Sequence, residues 1–136
     1  MKAVIQEELT GCAIASAAAI SGISYLEAKK VANSIGIYAD DSALWSETDY
    51  IRRLLHHLNV ETSSKEISFK DWMSLPDCAL LFIKWHLERN KAYWHWVVFV
   101  REKDKSYVLD SKKSLKTNIR TDFGRMKPKW YIEVKL

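Results

Sequence analysis

The spacing of apolar residues changes character once along this chain, and that change limits the folds open to it. From Cys12 to Asn59 the apolar positions recur at helical intervals. The first segment, Cys12 to Ile20, is small and apolar on every side and stops at Gly22, the pattern of a central buried helix. Ser24-Tyr25-Leu26-Glu27 forms a capping box, and Ala28, Val31, Ala32 and Ile35 follow at i, i+3, i+4 and i+7 before Gly36, giving a second helix. After a polar loop through Asp40 and Asp41, Ser46-Glu47-Thr48-Asp49 opens a third, with Ile51, Leu54, Leu55 and Leu58 on one face. A short piece opens at Ser68-Phe69-Lys70-Asp71 and ends near Pro76. Beyond it the period becomes that of strands. Ala79 to Ile83 is a continuous apolar run suited to a strand buried on both faces. Trp94 to Val100 and Ser106 to Leu109 flank the charged turn Glu102 to Lys105, and Trp130 to Leu136 alternates. Helices first and antiparallel strands second predict an α+β fold.

A chain of 136 residues, 48% of them hydrophobic, can bury one core, so residues 1–136 are expected to form a single domain. Six tryptophans and six tyrosines against four glycines and two prolines exclude a disordered or linker-like chain. No apolar run approaches the roughly 18 to 20 residues of a membrane span, since Ala13 to Ile20 is broken by Ser16. Leu9-Thr10-Gly11-Cys12 has the form of a lipoprotein cleavage box, but Gln6, Glu7 and Glu8 stand where a secretory signal needs its apolar stretch. Cys12 and Cys78 are too few for a disulfide framework, and no Cys/His cluster has metal-ligand spacing, which points to a reducing, cytoplasmic setting without metal or cofactor. The first hundred residues carry ten basic and twelve acidic side chains and the remainder eleven and five, so the net charge of +4 resides in the C-terminal third. There Lys112, Lys113, Lys116, Arg120, Arg125, Lys127 and Lys129 alternate with apolar residues, as on the solvated side of strands and turns, and no nucleic-acid reading motif accompanies them.

Chemistry concentrates around Cys12. It sits in the first turn of the most buried helix, where free N–H groups and the positive end of the helix stabilise a thiolate. Gly11 before it lets a backbone or a substrate approach closely. A buried structural cysteine is the competing reading of the same residue. Among the histidines, His56 and His57 belong to a helix and His86 ends the apolar run. His95 opens a strand, flanked by the exposed aromatic surface of Trp94 and Trp96, and suits a general base with His86 as the alternative. If Arg101 pairs with Ser106, Val97 faces Asp110, which puts Asp110 on the same sheet face as His95 and diagonal to it. Gln6 precedes Cys12 on the segment leading into the helix, where its amide can join the Cys12 N–H as an oxyanion donor.

Gln6, Gly11-Cys12-Ala13-Ile14-Ala15 opening a helix, His95 on a strand and Asp110 closing the next strand resemble the papain-like cysteine peptidase superfamily. The pattern is most similar to the bacterial peptidase domain that trims double-glycine leaders from bacteriocin precursors. In that family glycine usually follows the cysteine and proline the aspartate; here these are Ala13 and Ser111. The resemblance implies a papain-like fold, Cys12 as nucleophile, His95 as general base and then acid, Asp110 as orienter of the imidazole and Gln6 as oxyanion donor. It also implies a peptide or protein substrate held near Gly11, Trp94 and Trp96, with groove walls expected from the loops 37–45 and 87–93. The same residues also suit a thiol acyltransferase, a deamidase or a peptide-binding module without turnover.

Overall fold

The computed structural model describes residues 1–136 and contains four α-helices and seven antiparallel strands. The helices α1 (Cys12–Ser21), α2 (Tyr25–Ser34) and α3 (Asp49–His57) come first, followed by β1 (Glu61–Thr62), β2 (Ile67–Ser68), β3 (Cys78–Glu88), β4 (Lys91–Glu102), β5 (Lys105–Leu109), β6 (Ile119–Arg120), the one-turn α4 (Phe123–Met126) and β7 (Trp130–Lys135). The sheet order is β1-β7-β3-β4-β5-β6, with β2 also pairing with β7.

Why α1 is central follows from its side chains. Ala13 through Ile20 are all buried, and the alanines let α2, α3 and β4 approach its axis from different sides. Gly22 ends the helix in the left-handed conformation (φ 71°), donating its N–H to the carbonyls of Ala18 and Ala19. Helix α2 starts at the complete Ser24/Glu27 capping box. Thr48 precedes α3 but turns its hydroxyl to Glu66 instead of capping the helix.

Alternation sorts the strands between two apolar layers. Leu80, Phe82, Trp96, Val98, Val100, Ile132 and Val134 join α1 to α3 in the larger core, while Ala79, Leu81, Ile83, Val97, Phe99 and Val108 pack beneath Leu75 and Met126 on the other face. Trp72, Phe69 and Phe123 cover that second layer. The run from Ala79 to Ile83 is apolar at every position because both faces of β3 are covered and both its edges are paired.

Three local features differ from the sequence reading. The piece from Ser68 to Pro76, read as one short segment, is the end of a strand followed by a turn: Ile67 and Ser68 pair with Tyr131 and Trp130, and the Asp71 carboxylate then accepts from the N–H and hydroxyl of Ser74. The segment 87–93 is a hairpin rather than a loop, because Arg89 and Asn90 both take positive φ (51° and 66°) and close β3 onto β4 with Glu88 opposite Lys91. His95 therefore lies inside β4, not at its start. No helix is long and apolar enough to cross a membrane.

Candidate functional site

The counting between β4 and β5 holds in the structure: Arg101 pairs with Ser106, and Lys103 and Asp104 form the turn between Glu102 and Lys105. With Val98 opposite Leu109, Asp110 comes off the end of β5 diagonal to His95, and its Oδ1 lies 2.7 Å from His95 Nε2. Helix α1 packs on β4 and brings the Cys12 side chain beside the same imidazole, so that the two line one cavity and act on each other electrostatically. Because Nε2 is committed to Asp110, Nδ1 is the nitrogen left for the sulfur. The three side chains thus lie in series, the imidazole hydrogen-bonded to the carboxylate and neighbouring the sulfur. Cys12 is partly exposed and Asp110 is 1% exposed, so the series runs from the surface into the protein.

Electrostatics follow from that burial. Desolvation opposes a charged His95, but its hydrogen bond to Asp110 and its interaction with Cys12 outweigh it and push the imidazole pKa up to about 9. Burial alone would raise the Asp110 pKa; the His95 hydrogen bond and charge, the Lys112 N–H and Arg120 bring it down to about 2. Arg120 was invisible as a site residue among the basic side chains of the C-terminal third. It is turned inward, with Nη1 on Asp110 Oδ2 at 3.0 Å and its remaining donors on Asp122 at 2.9 and 2.7 Å. The carboxylate plane of Asp110 is therefore fixed from both ends. Asn118 braces the loop behind it, donating to the Asp110 and Lys112 carbonyls while accepting the Asp110 N–H on its own carbonyl.

Gln6 is placed differently from its expected part. Its backbone N–H bonds to the Ser111 carbonyl, bringing it beside the site, but the side chain is 5% exposed and fully engaged. Nε2 donates to the carbonyls of Glu8 and Leu9 at 3.0 and 2.8 Å, and Oε1 accepts from Ser111 Oγ at 2.7 Å. An amide has two N–H groups, and both are used in stapling the loop ahead of α1. Ser111 has a role here that proline could not fill.

Gly11 is required by packing. A Cβ there would stand 2.3 Å from the Tyr25 hydroxyl and 3.2 Å from the Glu8 carbonyl. Tyr25 cannot retreat freely, because its hydroxyl is held by the Glu8 carboxylate, which also binds Lys29. Gly11→Ala is expected to cost about 1 to 3 kcal/mol of stability. Removing the obstructing hydroxyl in Gly11→Ala/Tyr25→Phe should restore part of it; urea denaturation of the single and double variants measures both. Equal loss in the two would mean that the clash lies elsewhere.

Trp96, expected to be an exposed aromatic, is 2% exposed, with Nε1 donating to the Tyr50 hydroxyl at 3.0 Å. The sheet's alternation turns it under α1, where it packs edge-on to Phe82. Trp94 is partly exposed and stacks on Phe82. Together with Cys12, Tyr50, Trp45 and His95, both tryptophans line a cavity of about 200 Å³. Of the two segments expected to wall a groove, 37–45 contributes Trp45, and 87–93 contributes Tyr93 as part of a strand. His86 stands out on the hairpin against Tyr93, with Nδ1 on the Lys84 carbonyl, and His56 faces Glu61. Neither approaches Cys12. Tyr50 and Lys84, also at the site, carried no sequence signal beyond a helix face and a strand end.

No protein-family model matches the chain, and no curated protein matches it. Among solved structures it is similar to a double glycine motif protease from an AMS/PCAT transporter, determined in complex with the leader peptide. The TM-score is 0.63 at 16% identity, over 98% of this chain and 90% of that one. The α+β architecture described above is thus similar to the fold of that protease.

Proposed function

We propose that the protein is a cysteine peptidase that cleaves a peptide bond through an acyl-enzyme on Cys12. The observation that carries this reading is the hydrogen-bonded His95–Asp110 pair beside Cys12, with a mostly apolar cavity lined by both Cys12 and His95. His95 takes the thiol proton on Nδ1, and the sulfur attacks the carbonyl carbon. The carbonyl π pair moves onto oxygen, where the unpaired N–H groups of the first turn of α1 receive it. Collapse breaks the C–N bond as the imidazolium gives its proton to the leaving amine. Water, deprotonated by His95, then hydrolyses the thioester and regenerates Cys12. Asp110 holds the imidazole so that Nδ1 faces sulfur throughout.

In this reading Gln6 becomes the second oxyanion donor by releasing the Leu9 carbonyl and turning one N–H outward. Leu9 is 99% exposed, so its own side chain makes no packing that resists the movement. The fold likeness to a protease that holds a leader peptide supports an extended peptide as substrate. A reducing compartment is inferred from the nucleophile, which must remain a free thiol.

Incubation with a mixed peptide library, followed by mass spectrometry, tests the assignment. New amino termini are expected, absent with Cys12→Ala. Products heavier by about one dalton without chain cleavage would identify a deamidase, and conjugates to added amines a transferase.

A further inference from the structure

A second cavity, of about 310 Å³, adjoins the imidazole: His95 and Gln6 line it, and Cys12 does not. If the site is a peptidase as proposed, this position has a chemical meaning. The acyl half of the substrate becomes bonded to Cys12 and lies in the aromatic cavity, whereas the imidazole must hand its proton to the amine of the other half. The second cavity therefore receives the residues on the leaving side of the scissile bond.

Its wall carries three lysines against two glutamates, Glu7 and Glu8. Lys84, Lys112 and Lys113 all line it, and none takes part in an ion pair. Lys84 and Lys112 share this one cavity, where burial and the nearby charge of Lys112 lower the Lys84 pKa. Lys84 reaches this position through an irregularity in the β3–β4 pairing between Ile83 and His86, where it adopts φ 55°, a conformation unfavourable to a side chain of its kind. Two of the nearby carboxylates are engaged: Glu8 is held by Tyr25 and Lys29, and Asp110 by His95 and Arg120. Glu7 is left as the one cavity carboxylate set against the three lysines.

We propose that Lys84 and Lys112 form a carboxylate subsite, selecting substrates with a negative charge just beyond the scissile bond on the leaving side. The carboxylate belongs either to an aspartate or glutamate side chain or to the C-terminus of the substrate. A carboxylate between the two ammonium groups replaces their repulsion with two charge-assisted hydrogen bonds, in the cavity that His95 also lines.

The test uses a peptide found to be cleaved in the library, resynthesised with Glu or Gln after the cleaved bond and with either a free or an amidated C-terminus. Glu should exceed Gln in kcat/KM by about tenfold if the side chain is read, and acid should exceed amide by a similar factor if the terminus is read. The preference should reside mainly in KM, shrink between about 50 and about 500 mM salt, and collapse towards unity in Lys84→Met/Lys112→Met. Cleavage of all four wild-type substrates at equal rates, or a preference that survives the double substitution, overturns the subsite and leaves the peptidase standing. Undiminished cleavage by Cys12→Ala overturns the peptidase, and the subsite with it.

Discussion

Iodoacetamide at neutral pH should label Cys12 and leave Cys78 untouched, and His95→Ala should slow the Cys12 reaction by about 100-fold or more. The contrast arises from two environments in one chain. Cys78 is 4% exposed at the start of β3, and burial pushes its pKa up to about 12, which leaves about one thiolate in 10⁵ at pH 7. Cys12 stands at a helix N-terminus, in contact with an imidazole whose pKa is about 9. Because that pKa lies so high, His95 keeps its proton across the neutral range whenever the sulfur is ionised. Peptide cleavage should accordingly change little between pH 6 and 8 and fall as pH rises through about 9, where the imidazole loses the proton owed to the leaving amine. Mass spectrometry of labelled protein over time gives the two thiol rates, and initial rates of peptide cleavage give the pH profile. Similar slow labelling of both cysteines, or no response to His95→Ala, would remove the ground for a nucleophile at Cys12.

The parts of this site readable in the sequence are those fixed by periodicity. The small, apolar run after Gly11 is sufficient to identify a buried helix with Cys12 at its start, because only alanine-sized side chains permit three elements to pack on one helix. The position of Asp110 relative to His95 is readable because strand side chains alternate and an even-numbered turn preserves parity. What escapes periodicity is contact. Arg120 looks like its solvated neighbours in the sequence, and only the pairing of β6 with β5 brings its guanidinium to Asp110. The long hairpin is missed because its turn, Arg89-Asn90, lacks the glycine that usually marks two positive φ values in a row. The inward turn of the Gln6 amide depends on a serine more than a hundred residues away, and spacing from Cys12 carries no information about it. Trp96 shows the opposite failure: an aromatic beside a functional residue is easily taken for a binding surface, when strand alternation assigns it to the core.

Replacing Asp110 is expected to damage both catalysis and stability, through separable mechanisms. In Asp110→Asn the side chain offers one carbonyl where the carboxylate offered two acceptors, so either Arg120 or His95 Nε2 must face an N–H₂ group. With Arg120 keeping the carbonyl, the imidazole can accept only on Nε2 and carries its proton on Nδ1, towards the sulfur. That tautomer cannot accept the thiol proton, and cleavage should fall by about 10²- to 10⁴-fold. Asp110→Ala also leaves Arg120 and His95 without their shared anion at a 1% exposed position, which should cost about 3 to 5 kcal/mol. Arg120→Met should cost less, since it leaves the His95–Asp110 pair intact, although Asp122 is then left without its partner. The loss in Asp110→Ala has a defined pH window. The Asp110 pKa is depressed from 3.8 to about 2, so its contribution is complete above about pH 4 and declines as pH falls towards 2. The His95 pKa is raised from 6.5 to about 9, so its contribution is complete below about pH 6.5 and disappears as pH rises through 9. Wild type and Asp110→Ala should therefore differ most in urea stability between about pH 4 and 6.5 and converge towards both extremes. A difference that stays constant from pH 3 to 10 would show that the carboxylate acts through packing and not through the charges of His95 and Arg120.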